Sequence, residues 1–380
     1  MLKNKNKGIT LVALVVTIVV LLILAGISIS ALTNTGIFQK AKDAKQKSAN
    51  AELDQNTKLD SYEEEISNYL PQDVKQAIKK GKPLSTDKNT EIVDEKGNKI
   101  VIPAGFKVTG DATTVDKGIV IEDATVDKDG KPTATAGSQF VWVPVGKITK
   151  ADGTKTEIKL NRYTFASDGT PTEKNEEVID SYFSETASKG NTVAKDITNF
   201  KNSVKANGGY YIGRYEARTT TARNDKGNAL TQITEKGTDQ VYNYVTQQQA
   251  AEQAQGMYTS NNFTSDLINS YAWDTAITFI QKCTDKTNYA NQTSLNESFS
   301  STGTTNDNPC NIFDMSSNVG EWTTETSSSS DFPCVIRGGN FKRQLRLHEL
   351  SQRQHHFQQL QQHRFSSTFI FVELDAQAVT

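Results

Sequence analysis

From Ile9 to Leu32 the chain carries no charged residue, and the run is preceded by Met1-Leu2-Lys3-Asn4-Lys5-Asn6-Lys7-Gly8. About 20 consecutive apolar residues are enough for one helix to cross the hydrocarbon layer of a bilayer, so this stretch can span one alone. Lysines before a span hold their end on the cytoplasmic side. The expectation is a single-pass protein of the cell membrane, with Met1 inside and residues 33–380 outside.

A secretory signal has a shorter apolar region followed by small residues at a cleavage site, and this run is too long for that pattern. In Lys7-Gly8-Ile9-Thr10-Leu11-Val12-Ala13-Leu14 the basic stretch ends at a glycine directly before the apolar block. That junction resembles the type IV prepilin leader. The resemblance implies cleavage between Gly8 and Ile9 by a prepilin peptidase and methylation of the new terminus. It also implies other pilin subunits as partners. One position departs from the pattern: the family usually has Glu as fifth mature residue, and here it is Ala13, which counts against filament assembly. The plainer alternative is an uncleaved signal anchor.

Beyond the anchor the chain is polar, with 36% hydrophobic residues overall, and long enough for one large domain or two small ones. A net charge of -2, with lysines and acids interspersed, excludes a basic face for nucleic acid. The three cysteines, Cys283, Cys310 and Cys334, are too few for a disulfide framework and lack the close spacing of a zinc site. Outside a cell one bridge is expected. Cys310 and Cys334 flank a segment that can return on itself, which favours that pair and leaves Cys283 as a buried thiol on a helix face.

Along the chain, residues 1–8 read as leader, 9–33 as transmembrane helix, 34–70 as a polar helical stalk and 71–90 as a lysine-rich linker. Strands then begin. Ile92-Val93 and Ile100-Val101-Ile102 flank a hairpin loop, and Gly105–Val108, Gly118–Ile121, Gln139–Val145 and Tyr210–Ala217 continue the series. Helical spacing marks 196–207, a capping box at Thr246 and Gln249 opens a helix to Gln255, and Ile268 to Cys283 keeps one apolar face over four turns.

Four segments carry a second resemblance: Phe140-Val141-Trp142-Val143-Pro144, Tyr211-Ile212-Gly213-Arg214-Tyr215-Glu216, Asn311 to Trp322 with its Asp314-Met315 and Asn318-Val319-Gly320-Glu321-Trp322, and Val335-Ile336-Arg337-Gly338-Gly339-Asn340. Together they resemble the formylglycine-generating enzyme, or sulfatase-modifying factor, family over 91–340. That implies a mixed α+β domain of C-type-lectin-like fold, shared with the variable proteins of diversity-generating retroelements. It also implies a structural calcium at Asn318, Glu321 and the main chain at Val319 and Gly320; hard oxygen ligands suit that ion. The alternative is that Asn318 turns the chain and Glu321 pairs with Arg337.

The family's oxidase uses a closely placed cysteine pair near its C-terminal end, which neither Cys310 nor Cys334 matches. No histidine precedes His348, so the domain offers no Ser/His or Cys/His nucleophile, and no catalytic residue is assigned. The tail, 341–380, is crowded with Gln and holds His348, His355, His356 and His363. It reads as a metal site, as a Gln-rich helix, or as sequence out of frame. Read one nucleotide later, its Gln and His codons become largely Asn, Ser and Thr codons, and Arg364-Phe365-Ser366-Ser367 fits the Gly-Phe-Arg-Pro or Asp-Phe-Arg-Pro with which the resembled family often closes. A slip shortly after Gly339 would leave the sheet without its last strands and without the ligand surface they carry. The function expected is adhesion or recognition of an extracellular ligand at the surface of a Gram-positive cell; the alternatives are an oxidase of the formylglycine-generating type and a minor pseudopilin of a secretion or uptake system.

Overall fold

The computed structural model describes residues 11–34, 37–67, 72–174, 197–219, 233–237, 240–292, 300–326, 334–339, 367–368 and 370–374. The chain divides into two compact units, Met1–Leu70 and Pro71–Thr380.

In the first unit, α1 (Leu11–Asn34) and α2 (Ile37–Ser67) are 24 and 31 residues long. Every large apolar side chain described on α1 is exposed, from 47% at Val19 to 71% at Val12. Thr17 turns its hydroxyl back onto the Ala13 carbonyl at 2.8 Å, so it adds no unsatisfied polar group to this surface. The described side chains of α1 are those of 12–27, and among the described residues no helix is long and apolar enough to cross a membrane. Helix α2 is polar, with Lys58 and Asp54 paired at 3.3 Å one turn apart. The expected leader site, Gly8 and Ile9, lies outside the described residues.

The second unit starts earlier than the sequence implies. Residues 71–90 are not a spacer: β1 (Gln72–Asp73) pairs in parallel with β2 (Thr90–Val93), and α3 (Val74–Lys80) buries Val74 and Ala77. Asp73 caps α3 by accepting from the Gln76 N–H at 2.7 Å, and Gly81 ends it in the left-handed region. Lys79 and Lys80, which give the stretch its linker look, sit in the last turn, where cations suit the helix dipole.

The remaining elements are β3 (Lys99–Ile102), β4 (Phe106–Thr109), β5 (Val120–Asp123), β6 (Gln139–Pro144), β7 (Gly146–Thr149), β8 (Lys155–Ile158), β9 (Arg162–Phe165), β10 (Pro171–Lys174), α4 (Ile197–Asn207), β11 (Gly209–Gly213), β12 (Arg218–Thr219), β13 (Gln240–Val241), α5 (Gln247–Met257), β14 (Phe263–Leu267), α6 (Ser270–Cys283), β15 (Gly320–Thr326), β16 (Cys334–Gly338), β17 (Ser367–Thr368) and β18 (Ile370–Leu374). The result is mixed α+β. A six-stranded sheet runs in the order β14-β18-β11-β6-β5-β4, and a second sheet places β15 between β16 and β17. The expected hairpin forms between β2 and β3 with Ile92 opposite Ile100. The strand expected over Tyr210–Ala217 stops at Gly213, which frees Arg214, Tyr215 and Glu216 to leave the sheet.

Near-continuous apolar runs on the central strands β6 and β11, buried along their length, fill the core. Phe106, Phe140, Tyr258 and Phe263 meet edge to face with centroids 5.4 to 6.0 Å apart, and Trp142 packs on Tyr211 at 5.0 Å. Tail residues 341–366 lie outside the description, the four histidines among them. The expectation that the sheet ends short is nevertheless corrected: Ile370–Leu374 fills the slot between β14 and β11, so the domain reaches beyond 340.

Gly118 closes the turn Val115–Lys117 with φ +78°, and a Cβ there would land on the carbonyl of Cys310. Gly118→Ala is expected to cost at least about 1–3 kcal/mol, since it adds a backbone clash to a strained conformation, as a denaturant midpoint would read.

Candidate functional site

The motif segments converge on β15. Its partner β16 brings Arg337 opposite Glu321 in the backbone register, but the side chains do not pair, because β15 bulges between Trp322 and Thr326 and Glu325 takes the guanidinium. The expected Glu321–Arg337 pair is therefore corrected. Arg337 donates to Glu325 Oε2 from Nε at 3.1 Å and from Nη2 at 2.5 Å, and to Asp274 Oδ1 at 3.2 Å. Arg162 completes a square, donating from Nε to Asp274 Oδ2 at 3.0 Å and from Nη2 to Glu325 Oε1 at 2.7 Å. All four side chains are buried. Burial works against the Glu325 carboxylate, but Arg337 and Arg162 outweigh it and lower its pKa; at Asp274 burial prevails over the same two arginines and raises it.

The rest of the Arg-Gly-Gly element serves close approach. Gly338 has φ +87°, and a Cβ on it would strike Glu321 Oε2; a Cβ on Gly339 would strike the Ser317 backbone. Asn318 turns the chain with φ +61°, as the sequence reading allowed. Its side chain accepts from the Ser300 N–H at 3.0 Å and donates to Glu216 Oε2 at 2.6 Å. Glu216 also accepts from the Val319 N–H at 3.2 Å.

Beside these contacts lies a group of acids with no cation paired to them among the described residues. Glu216, Glu235 and Glu321 are fully buried, and apart from the Glu216 carboxyl beside Glu321 no donor among the described residues is placed on the carboxylate oxygens of Glu235 or Glu321. Burial first, then the neighbouring carboxylates, raises all three pKa values well above the ordinary 4.5. The Glu216 and Glu321 carboxyls meet: with a proton between them they hydrogen-bond, without one they repel. Asp314, also held up by burial, adds further negative charge; its oxygens accept from Thr305, from Ser317 at 3.1 Å and from the Gly303 N–H at 3.2 Å. Of the four expected calcium ligands, then, Asn318 is engaged with Ser300 and Glu216, the Val319 N–H with Glu216, Gly320 sits in the ladder opposite Gly338, and Glu321 is left open. Among the described residues no group of three or more His, Cys, Asp and Glu is placed to hold a metal ion.

Cys310 is a free thiol whose Sγ donates to the Asp116 carbonyl at 3.5 Å, so the bridge expected with Cys334 is not formed; Cys283 is also free, and both are buried. Nothing is described of the Cys334 side chain. Next to the acids, Tyr215 and Phe313 stack at 5.0 Å with the Arg214 guanidinium over both rings, a half-buried group that sequence reasoning left unassigned. The quartet was missed as well. Arg162 and Asp274 lie in segments with no motif, and only the odd charge on the apolar face of α6 could have signalled them.

Fold and site together define a mixed α+β domain with one ion-paired cluster and one cluster of buried carboxyl groups along β15. A family model described as the sulfatase-modifying factor enzyme 1-like domain matches residues 246–366. The match covers β15 and β16 and continues past 340; the Phe140–Pro144 and Tyr211–Glu216 segments lie outside it. Comparison with curated proteins and with solved structures finds no match.

Arg337→Met strands two buried carboxylates on one remaining arginine and should cost about 3–5 kcal/mol in urea unfolding. Adding Glu325→Leu should recover a good part of that loss, because it removes one stranded charge.

Proposed function

We propose that this chain is a membrane-anchored, pilin-like surface protein that presents a C-type-lectin-like domain for ligand recognition. The observation that carries the anchor is α1. Its 24 residues hold no charge and would reach about 36 Å as a helix, and its described apolar side chains are exposed. Three lysines before it favour export of the remainder. For the domain, the support is the family match together with the Asn-Val-x-Glu-Trp and Arg-Gly-Gly elements, whose residues the fold brings side by side. A retroelement-type variable protein, with its ligand surface in the final region, is the reading that goes with this domain.

The family name favours a second reading, an oxidase of the formylglycine-generating type. Copper-dependent turnover of a cysteine peptide would establish it. Against it stand the two described cysteines, buried and with thiol pKa values pushed up by that burial. A minor pseudopilin role predicts the protein in sheared surface filaments.

Protease added to intact cells should degrade the region after residue 70. Protection in intact cells with loss in lysates would reverse the topology. In a strain with prepilin peptidase the mature chain should begin at Ile9, and Gly8→Ala should leave the leader attached.

We further propose a calcium ion at Glu321, with Glu216 and neighbouring main-chain oxygens. The Glu321 carboxylate, which meets another carboxyl rather than a donor, and the absence of a counter-cation among the described residues support it. In chelator, the raised pKa values of Glu216, Glu235 and Glu321 mean that the folded state holds protons the unfolded state releases. Their contribution is complete below about pH 4.5 and is lost as pH rises through the folded values. Calcium should flatten that decline in the denaturant midpoint, and Glu321→Gln should flatten it without calcium. An identical decline in all three conditions would refute the site.

A further inference from the structure

Two of the three cysteines converge on one short turn. Cys283 ends α6, and Cys310 sits in the turn Pro309–Asn311; α6 and this turn pack on each other, and both pack on Val115–Lys117. Cys310 Sγ donates to the Asp116 carbonyl, Asn311 Nδ2 donates to the Lys117 and Gly118 carbonyls at 3.1 and 2.9 Å, and both thiols feel the charges of Asp116 and Lys117 as well as, for Cys310, the Cys283 sulfur itself. The backbone at Cys310 and Asn311 is left-handed in two successive non-glycine residues, with φ +50° and +63°, and the strain recurs at Asp314 and Asn318. Such strain persists only where the surroundings over-determine it.

We propose that Cys283 and Cys310 form a disulfide when the chain folds in an oxidising compartment, fastening the end of α6 to the start of the strained 310–318 loop. Formation proceeds by exchange with a low-molecular-weight disulfide. One protein thiolate attacks that disulfide and expels a small thiolate; the second attacks the resulting mixed disulfide and expels the other. The two thiol protons pass to the two leaving thiolates, the protein loses two electrons and the small disulfide gains them. In the closed core the Cys283 thiol is pushed up to about 12 by burial, so few thiolates exist there and the bridge closes before packing is complete. Its role is positional: α6 carries Asp274 of the ion quartet, and the loop carries Asp314 and Asn318 beside the buried acids.

The test uses the full chain in detergent micelles, refolded with oxidised glutathione, alkylated with iodoacetamide and mapped by mass spectrometry after digestion. The expected result is a linked peptide pair containing Cys283 and Cys310, with Cys334 alone alkylated. Cys334→Ser should keep the link. Cys283→Ser and Cys310→Ser should each lose it. Dithiothreitol should lower the urea midpoint of Cys334→Ser and leave that of Cys283→Ser unmoved. Alkylation of all three thiols, or any bridge that includes Cys334, overturns the proposal, and the wild-type map decides it even where a variant fails to fold.

Discussion

The square of Arg162, Asp274, Arg337 and Glu325 holds the motif-bearing half of the domain in place. It joins β9, α6, β15 and β16, elements that come from four separate parts of the chain. Taking four charges out of water costs several kcal/mol per ion, and the attraction regained offsets this only with good geometry. Here each guanidinium touches both carboxylates and each carboxylate touches both guanidiniums, so no charge is left over. Net stability gained is small. What the square supplies is a single permitted arrangement, because a slip of one residue in β15 would strand a charge in the core. That is why arginine stands at 337: its planar fork reaches Glu325 and Asp274 together, and lysine offers one point charge for both.

Four residues back along the same strand the opposite situation holds. Glu321 faces Glu216; Glu216 raises the pKa of Glu235 and Glu321, Asp314 raises those of Glu216 and Glu321, and among the described residues no arginine or lysine pairs with Glu216, Glu235 or Glu321. The two centres share β15 yet differ in what they require. One is closed within the protein. The other needs protons or a cation, so its stability is tied to conditions outside the chain. Gly338 links them, since its left-handed turn lets Arg337 point into the square while its missing Cβ makes room for the Glu321 carboxylate.

Local patterns in the sequence carried most of the element positions. The hairpin at 92–102, the cap at Thr246 and the apolar face of α6 all depend on near neighbours, and they stand where their spacing puts them. The site was legible only in part. Asn318, Glu321 and Arg337 announce themselves through motif wording, but their partners Glu216, Asp274 and Arg162 lie more than 60 residues away in sequence, where no spacing rule reaches. The bulge in β15 decides whether Glu321 or Glu325 meets Arg337, and nothing in the sequence marks it. Composition misled at 71–90, where lysines of a short capped helix read as linker.

At the end of the chain Gln and His crowding sets the tail apart from the domain before it. A frame change after Gly339 would replace Ile370–Leu374, yet that segment sits between β14 and β11 and satisfies backbone groups on both. The Leu374 carbonyl accepts from Ser203 Oγ at 2.6 Å and from Asn207 Nδ2 at 3.3 Å, which ties α4 to the strand, and the Leu374 side chain is buried. A strand inserted inside a sheet, with both edges paired and a helix fastened across it, is a stringent fit for a sequence read in the wrong register. Alternating Ile370, Val372 and Leu374 have the period such a strand needs. The strand Ile370–Leu374 is thus an integral part of the central sheet, tied to it on both edges and to α4 across one face.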